Sequence, residues 1–382
     1  MPDAAQIHRE ATVVDLHAHP STKTYFGNAK LTERPAAKKG FNLTRLRTNH
    51  PSLVAGGIDV LCSAIYVPEQ NLKKDCWVFE LGGIAIPKLD DALNHPAEHT
   101  ARTMLQQIET DVATVNATDP TRRMAIVKNN EELDRAVERG DIAVIHTLEG
   151  AHPLMGDPAN VATFKDLGVA LITLAHFYPN QVSPPVEAIP HDFFLRALHC
   201  FTFEEDLSLG LLPQGPAVVE AMFDHGVIVD LTHSTPVARQ EVYALPNPKH
   251  RPLVMTHVGT KAIRDVDMNP SDDEIRTIAE TGGVIGVIFY NYWLTHADVA
   301  SLDADTLAFV LNHVRHIVNV GGEDCVAFGS DFDGMTDPPD DLREPADWPN
   351  LTAGLLAEGY TTSQIGKFLG GNARRVLQDG WR

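Results

Sequence analysis

VVDLHAH, residues 13–19, is an apolar run that ends on two histidines, and four later runs repeat its form. They are AVIHTLEG (143–150), VIVDLTH (227–233), LVMTH (253–257) and VAFGSDFDG (326–334). Each has the short, β-branched make-up of a strand buried on both faces, and each closes on a residue that binds metals or moves protons. Those closing residues are His17 with His19, then Glu149, His233, His257 and Asp331. Parallel strands that close into a barrel bring their C-terminal ends onto one face, so residues this far apart in sequence converge there.

Outward from these runs the pattern continues. Strand-like stretches fall at 12–17, 58–67, 142–148, 169–175, 227–232, 252–256, 283–290 and 325–330. Helical patterns lie between them at 93–118, 129–138, 215–225, 236–244, 272–281 and 303–319, several opening with Asp, Ser, Thr or Pro. The alternation predicts an α/β fold, a (β/α)8 TIM barrel with active-site loop insertions, and residues 1–382 are expected to form one domain. Two segments break the rhythm: 20–52, rich in Lys, Arg and Asn, and 177–214, rich in Pro, Phe and Leu. Both follow strands, so they are expected as lids or substrate walls over the active face.

Composition narrows the function. Asp and Glu outnumber Lys and Arg 51 to 31, a formal net charge of −20, which disfavours nucleic acid as a partner. The N-terminal stretch has no basic region followed by an apolar one, and no apolar run approaches the length of a membrane span. A soluble, cytoplasmic protein that does not engage membranes is expected. Cys62, Cys76, Cys200 and Cys325 have no close spacing, so each is expected as a small, reduced core residue and not as half of a disulfide.

The chemistry follows from residue type and position. Side chains two apart on a strand share a side, so His17 and His19 can reach one cation, with Asp15 placed to orient them. Glu149 ends a nearly all-apolar strand, and its two oxygens can bridge cations about 3.5–4 Å apart. His233 and His257 then complete the shell of a second metal. Asp331, among small residues, suits the general base that takes a proton from attacking water and returns it to the leaving amine. Asp333 reads as a supporting loop carboxylate. His176, ending VALITLAH, is expected to donate to the developing oxyanion, and His146 and His152 are weaker supporting candidates.

These motifs, together with LEGAHPL, GLLPQGPAVVEAMFDHGVIVDLTHS, VMTHVGTKAI, IFYNYW and GGNARRVL, resemble the membrane (renal) dipeptidase family, peptidase family M19 of the amidohydrolase superfamily. The resemblance implies a (β/α)8 barrel with two zinc ions, or similar divalent metals. His17 and His19 would bind the first, His233 and His257 the second, and Glu149 would bridge them. It also places Asp331 at the catalytic aspartate and His176 at the substrate-contacting histidine, and it implies a homodimer and a small dipeptide-like substrate. Two departures stand out. The renal-type pattern HxD is here HxH, which puts His19 where the family has an aspartate. The family's carboxylate-binding arginine is matched by Met268, which cannot form a bidentate ion pair, so Arg264 becomes the candidate for that role. The expected activity is a metallo-dipeptidase. The alternatives are another amidohydrolase reaction, on an N-acyl amino acid, a lactone or ester, or a natural-product peptide, and a non-catalytic metal-binding relative.

Overall fold

A computed structural model describes residues 3–36, 38–42, 44–119, 121–190, 196, 200–201, 204–296 and 306–382. Its strands are all parallel: β1 Val14–Ala18, β2 Val60–Tyr66, β3 Met124–Val127, β4 Ile142–Glu149, β5 Val169–Thr173, β6 Ile228–Asp230, β7 Leu253–Val258, β8 Val284–Val287 and β9 Val326–Phe328. Eight of them pair in the order β1-β2-β4-β5-β6-β7-β8-β9. The ring is nearly closed by the residues after β9: the Asp331 amide donates to His17 O at 2.9 Å, and the His19 amide to Phe332 O at 2.8 Å. The expected (β/α)8 barrel is the observed architecture.

All eight expected strands are present. The ninth, β3, pairs along Ile142–Ile145 of β4, while β5 pairs with the rest of that strand. Its sequence, MAIV, is four residues long and too short to show a period. Helices Asn130–Glu138, Gly215–His225, Pro236–Ala244 and Asp272–Glu280 lie where the pattern put them. Local chemistry explains their ends. Thr235 and Ser271 cap two N-termini through their side chains, and Ser271 with Glu274 completes a capping box. The expected helix 93–118 is interrupted at Pro96, giving Pro87–Asn94 and Ala97–Thr118. The expected 303–319 is Leu307–Gly321, with 303–305 outside the described residues.

The barrel interior is filled by Val14, Leu16, Val60, Ile145, Ile228, Val254 and Ala327, which join Ala373 and Val376 of the C-terminal helix, and Trp381 just after it, in one buried cluster. Alternate strand residues such as Leu61, Val144, Ile172, Val229 and Ile285 belong to the larger cluster formed with the surrounding helices. Near the active end, β7, β8 and β9 approach so closely that side chains are excluded. A Cβ on Gly286 would lie 1.9 Å from Thr256 O, and one on Gly329 2.1 Å from the same oxygen.

Over the C-terminal ends lie the two expected insertions and a third, after β2, that the periodicity did not single out. Helices Asn71–Asp75, Trp77–Ala85 and Pro87–Asn94 make up most of it. One expectation is overturned here: Cys76 and Cys200 form a disulfide across 124 residues of sequence, with Cα atoms 4.5 Å apart. Spacing could not reveal it, because the fold brings the post-β2 helices against the 177–214 segment. The pairing also removes the cysteine-based argument for a reducing compartment. Cys62 and Cys325 are free and buried, as expected of small core residues.

Gly286→Ala should cost about 3 kcal/mol, the upper end of ordinary overpacking. Urea unfolding, compared with the parent chain at equal slope, measures it.

Candidate active site

The expected donors end on one face because their strands do. Glu149 is the last residue of β4, His257 lies within β7, and His17 and His19 straddle the end of β1. His233, Asp331 and Asp333 follow β6 and β9 in the left-handed backbone region, with φ of 70°, 53° and 69°. Such a conformation costs a non-glycine residue roughly 1–3 kcal/mol and persists where surrounding bonds over-determine it. For Asp331 those bonds are its amide to His17 O and the Thr336 hydroxyl to its own carbonyl at 2.9 Å.

Glu149 sits at the centre, 2% exposed. Its Oε1 lies 3.1 Å from His17 Nε2 and 3.3 Å from both His233 Nε2 and His257 Nε2. Its Oε2 lies 3.3 Å from His19 Nε2 and 3.1 Å from His176 Nε2. The Nε2 atoms of His17 and His19 are 3.0 Å apart, those of His233 and His257 3.1 Å. Asp331 Oδ1 is 3.1 Å from His19 Nε2. Two groups of three donors, His17 with His19 and Glu149, and Glu149 with His233 and His257, could each hold a metal ion. Imidazole nitrogen and carboxylate oxygen suit zinc and similar divalent ions, so the residues fit the group the resemblance implies.

The electrostatics agree. Burial pushes the Glu149 carboxyl up, but His176, His19 and His17 outweigh it and hold it well below the usual range. Asp331 is likewise lowered, burial being overcome by its bond to His19 and by His257. Burial lowers His233 to about 4, leaving the neutral imidazole that a metal needs. His17 goes the other way: burial opposes its charge, yet Glu149 lifts it to about 9. The cluster favours positive charge at its centre.

His176 is held between two carboxylates, Glu149 on one nitrogen and Glu69 Oε1 3.6 Å from the other. Burial disfavours its charge, but Glu149 and Glu69 raise its pKa, so it stands as a donor. Glu69 itself drops to about 2, burial being outweighed by the neighbouring His176, and it accepts from the Tyr66 hydroxyl at 2.6 Å. Sequence reading missed Glu69, which lies beyond a strand whose end carries no metal-type residue. It also passed over Asp230, although a carboxylate inside VIVDLTH was a visible signal. Asp230 is fully buried, accepts from the hydroxyls of Thr173, Thr232 and Thr256 at 2.7 Å each, and falls in a third potential metal group with His17 and His257. Thr256 Oγ1 in turn lies 2.9 Å from His257 Nδ1.

The supporting candidates hold the frame around the donors. The β1 register shifts between Asp15 and Ala18, which breaks the alternation that was to align Asp15 with the imidazoles. Asp15 instead accepts from the His17 amide at 3.2 Å and from Ser330 N and Oγ at 2.9 and 2.6 Å. His146 points to the helix layer, 3.4 Å from Glu109, and His152 Nε2 lies 2.8 Å from Val67 O. Asp333 accepts from Lys23 Nζ, the Arg47 and Thr48 amides and the Thr48 hydroxyl, so it anchors the first insertion. Neither Arg264 nor Met268 lines the cavity above Glu149. Met268 is 1% exposed in the core, and Arg264 donates to Tyr292 O at 2.9 Å with its guanidinium 5.0 Å from the Tyr292 ring.

A barrel with this donor set at its C-terminal face defines a metallohydrolase-type site. Residues 1–380 match the model of the membrane dipeptidase family, peptidase family M19, and the chain belongs to that family. An uncharacterized dipeptidase of Schizosaccharomyces pombe is 28% identical over 77% of this chain and 67% of its own length. Dipeptidase TcpJ of Claviceps purpurea is 29% identical over 67% of this chain, which spans 55% of that relative. Among solved structures, the probable dipeptidase PvdM of Pseudomonas aeruginosa superposes with a TM-score of 0.76 at 18% identity, covering 98% of this chain and 97% of its own. A metallopeptidase of Rhodobacter sphaeroides, solved with a phosphinate mimic of L-Ala-D-Ala, gives 0.74 at 20% identity, covering 97% and 99%. These last two likenesses are of fold.

Asp230→Asn should weaken divalent-metal affinity about 10–100-fold, the usual cost of disturbing a group that orients a ligand. Competition against a chromophoric chelator measures it.

Proposed function

We propose that this protein hydrolyses an amide bond in a dipeptide-like substrate with two zinc ions, or similar divalent metals, held by His17, His19, Glu149, His233 and His257. The observation that carries this reading is Glu149, which is common to two groups of donors, one with His17 and His19 and one with His233 and His257, while Asp331 stands beside His19. Bound there, such ions would supply a water of pKa near 7 and Lewis acidity toward the scissile carbonyl.

The chain's own residues supply the rest. Asp331, kept ionised by its imidazole neighbours, accepts the proton of the attacking water and delivers it to the departing amine. His176, held in a donating state by Glu69 and Glu149, hydrogen-bonds the oxyanion as the carbonyl becomes tetrahedral. Tyr66 and Glu69 are positioning residues for His176. Burial of the whole set strengthens each of these interactions relative to water.

A second reading keeps this chemistry but changes the substrate to an N-acyl amino acid, a lactone or ester, or a natural-product peptide. Met268 at the family's arginine position favours it. The non-catalytic reading has less support, because every donor and the Asp331 carboxylate are in place.

Asp331→Asn should retain the metal content of the parent and lose about 10²–10⁴ in kcat, the range expected for one proton-transfer group. Metal analysis beside turnover of a dipeptide panel tests it, and a metal-replete, fully active variant would sink the role given to Asp331.

A further inference from the structure

The cavity above Glu149 encloses about 510 Å³, the volume of a site for a small organic molecule. Its floor is His19, Glu149, His176, His233 and Asp331, and its walls are mostly apolar: Phe26, Phe79, Phe177, Ile189, Tyr290 and Trp293. The post-β2 helices supply Phe79 and the 177–214 segment supplies Phe177 and Ile189. The Cys76–Cys200 disulfide ties these two walls together, within a buried cluster that includes Leu72, Leu89 and Phe201.

A substrate that ends in a free carboxylate, moved from water into such a cavity, needs a cation or several fixed donors to replace its hydration. Every Lys and Arg lies among the described residues. Lys23 alone among them lines the cavity. Its ammonium has three hydrogens, and all are spent: on Asn42 O at 2.7 Å, Arg45 O at 2.8 Å and Asp333 Oδ1 at 2.8 Å. Arg264 is turned onto Tyr292 and His296, and Arg196 pairs with Glu187 and donates to Ile189 O. Met268 is sealed in the core. Carboxylates, by contrast, are close at hand in Glu149, Asp331 and Asp333.

We infer that the site takes a C-terminally blocked dipeptide-like amide with bulky apolar side chains, in place of a dipeptide with a free carboxylate. The inference rests on the hydrolase reading above for the bond that is cleaved. It rests on the walls and the spent Lys23 for the end that is not.

The test uses the zinc-reconstituted full chain with Phe-Leu, Phe-Leu amide, Ala-Ala and Ala-Ala amide, and with the phosphinate analogues of Phe-Leu in free and amidated form. The expected result is a kcat/KM for Phe-Leu amide at least tenfold above that of Phe-Leu and above both alanine compounds. A free acid cleaved as well as its amide, or better, overturns the inference. Should the zinc-loaded protein cleave none of the four, the hydrolase reading fails. Calorimetric binding of the two phosphinates then decides the inference by the same tenfold criterion. Phe79→Arg, which sets a guanidinium on the half-buried wall, should move the acid-to-amide ratio at least tenfold toward the acid with zinc content unchanged. An unchanged ratio puts the blocked end against some other surface and overturns the assignment.

Discussion

A carboxylate sealed inside a protein must be compensated, and Glu149 is the one on which this structure turns. Transfer of an ionised carboxyl from water to a protein interior costs several kcal/mol even after relaxation, unless positive charge or good donors replace the water. Within 3.3 Å of its two oxygens Glu149 has five imidazoles, from the ends of β1, β5, β6 and β7. No local segment could assemble that set. The demand is met only where parallel strands end side by side, which makes the barrel a condition for the charge as much as the charge is an ornament of the barrel.

The same logic runs outward through other buried carboxylates, each joining pieces far apart in sequence. Asp230 gathers three threonine hydroxyls from β5, the end of β6 and β7, and through Thr256 reaches His257. Asp15 clasps the Ser330 amide and hydroxyl, which fixes the turn that carries Asp331. Asp333 takes Lys23 and the chain at Arg47–Thr48, and so fastens the first insertion beside the site. Tyr66 pairs in register with Glu149, and its hydroxyl leads to Glu69 and from there to His176. Most of these contacts are hydrogen bonds to a carboxylate in a site of low dielectric, the kind that specifies one arrangement.

What was legible in the sequence follows from this. Strand ends were readable because a polar residue closing an apolar run has few bland explanations, and that is how His17, His19, Glu149, His233, His257 and Asp331 were found. The helices were readable from their caps and periods. Partners that act through tertiary contact were not. Glu69 lies in a loop, where an acidic residue is ordinary, and only the fold sets it against His176. Asp15 had the right parity for the imidazoles, but the register shift in β1 turned it toward Ser330. Cys76 and Cys200 are 124 residues apart, and nothing local announces their pairing.

The division between what strands and insertions contribute also bears on specificity. The donors around Glu149 lie on or just after β1, β4, β6, β7 and β9, where the barrel's hydrogen-bond register fixes the backbone. The groups that meet the rest of the substrate come from the helices after β2, the 177–214 segment and the residues after β8, none of which is constrained by that register. Such walls can change from apolar to charged without moving a metal donor. A chain can therefore keep its cluster of imidazoles and carboxylates while Met268 is buried in the core and Lys23 bonds its own loop. Likeness of fold at 18–20% identity is then informative about the barrel and silent about what lines the cavity. In this protein the walls are mostly aromatic and aliphatic, and the free energy available from those groups is hydrophobic burial, which grows with apolar area and takes no benefit from a terminal charge.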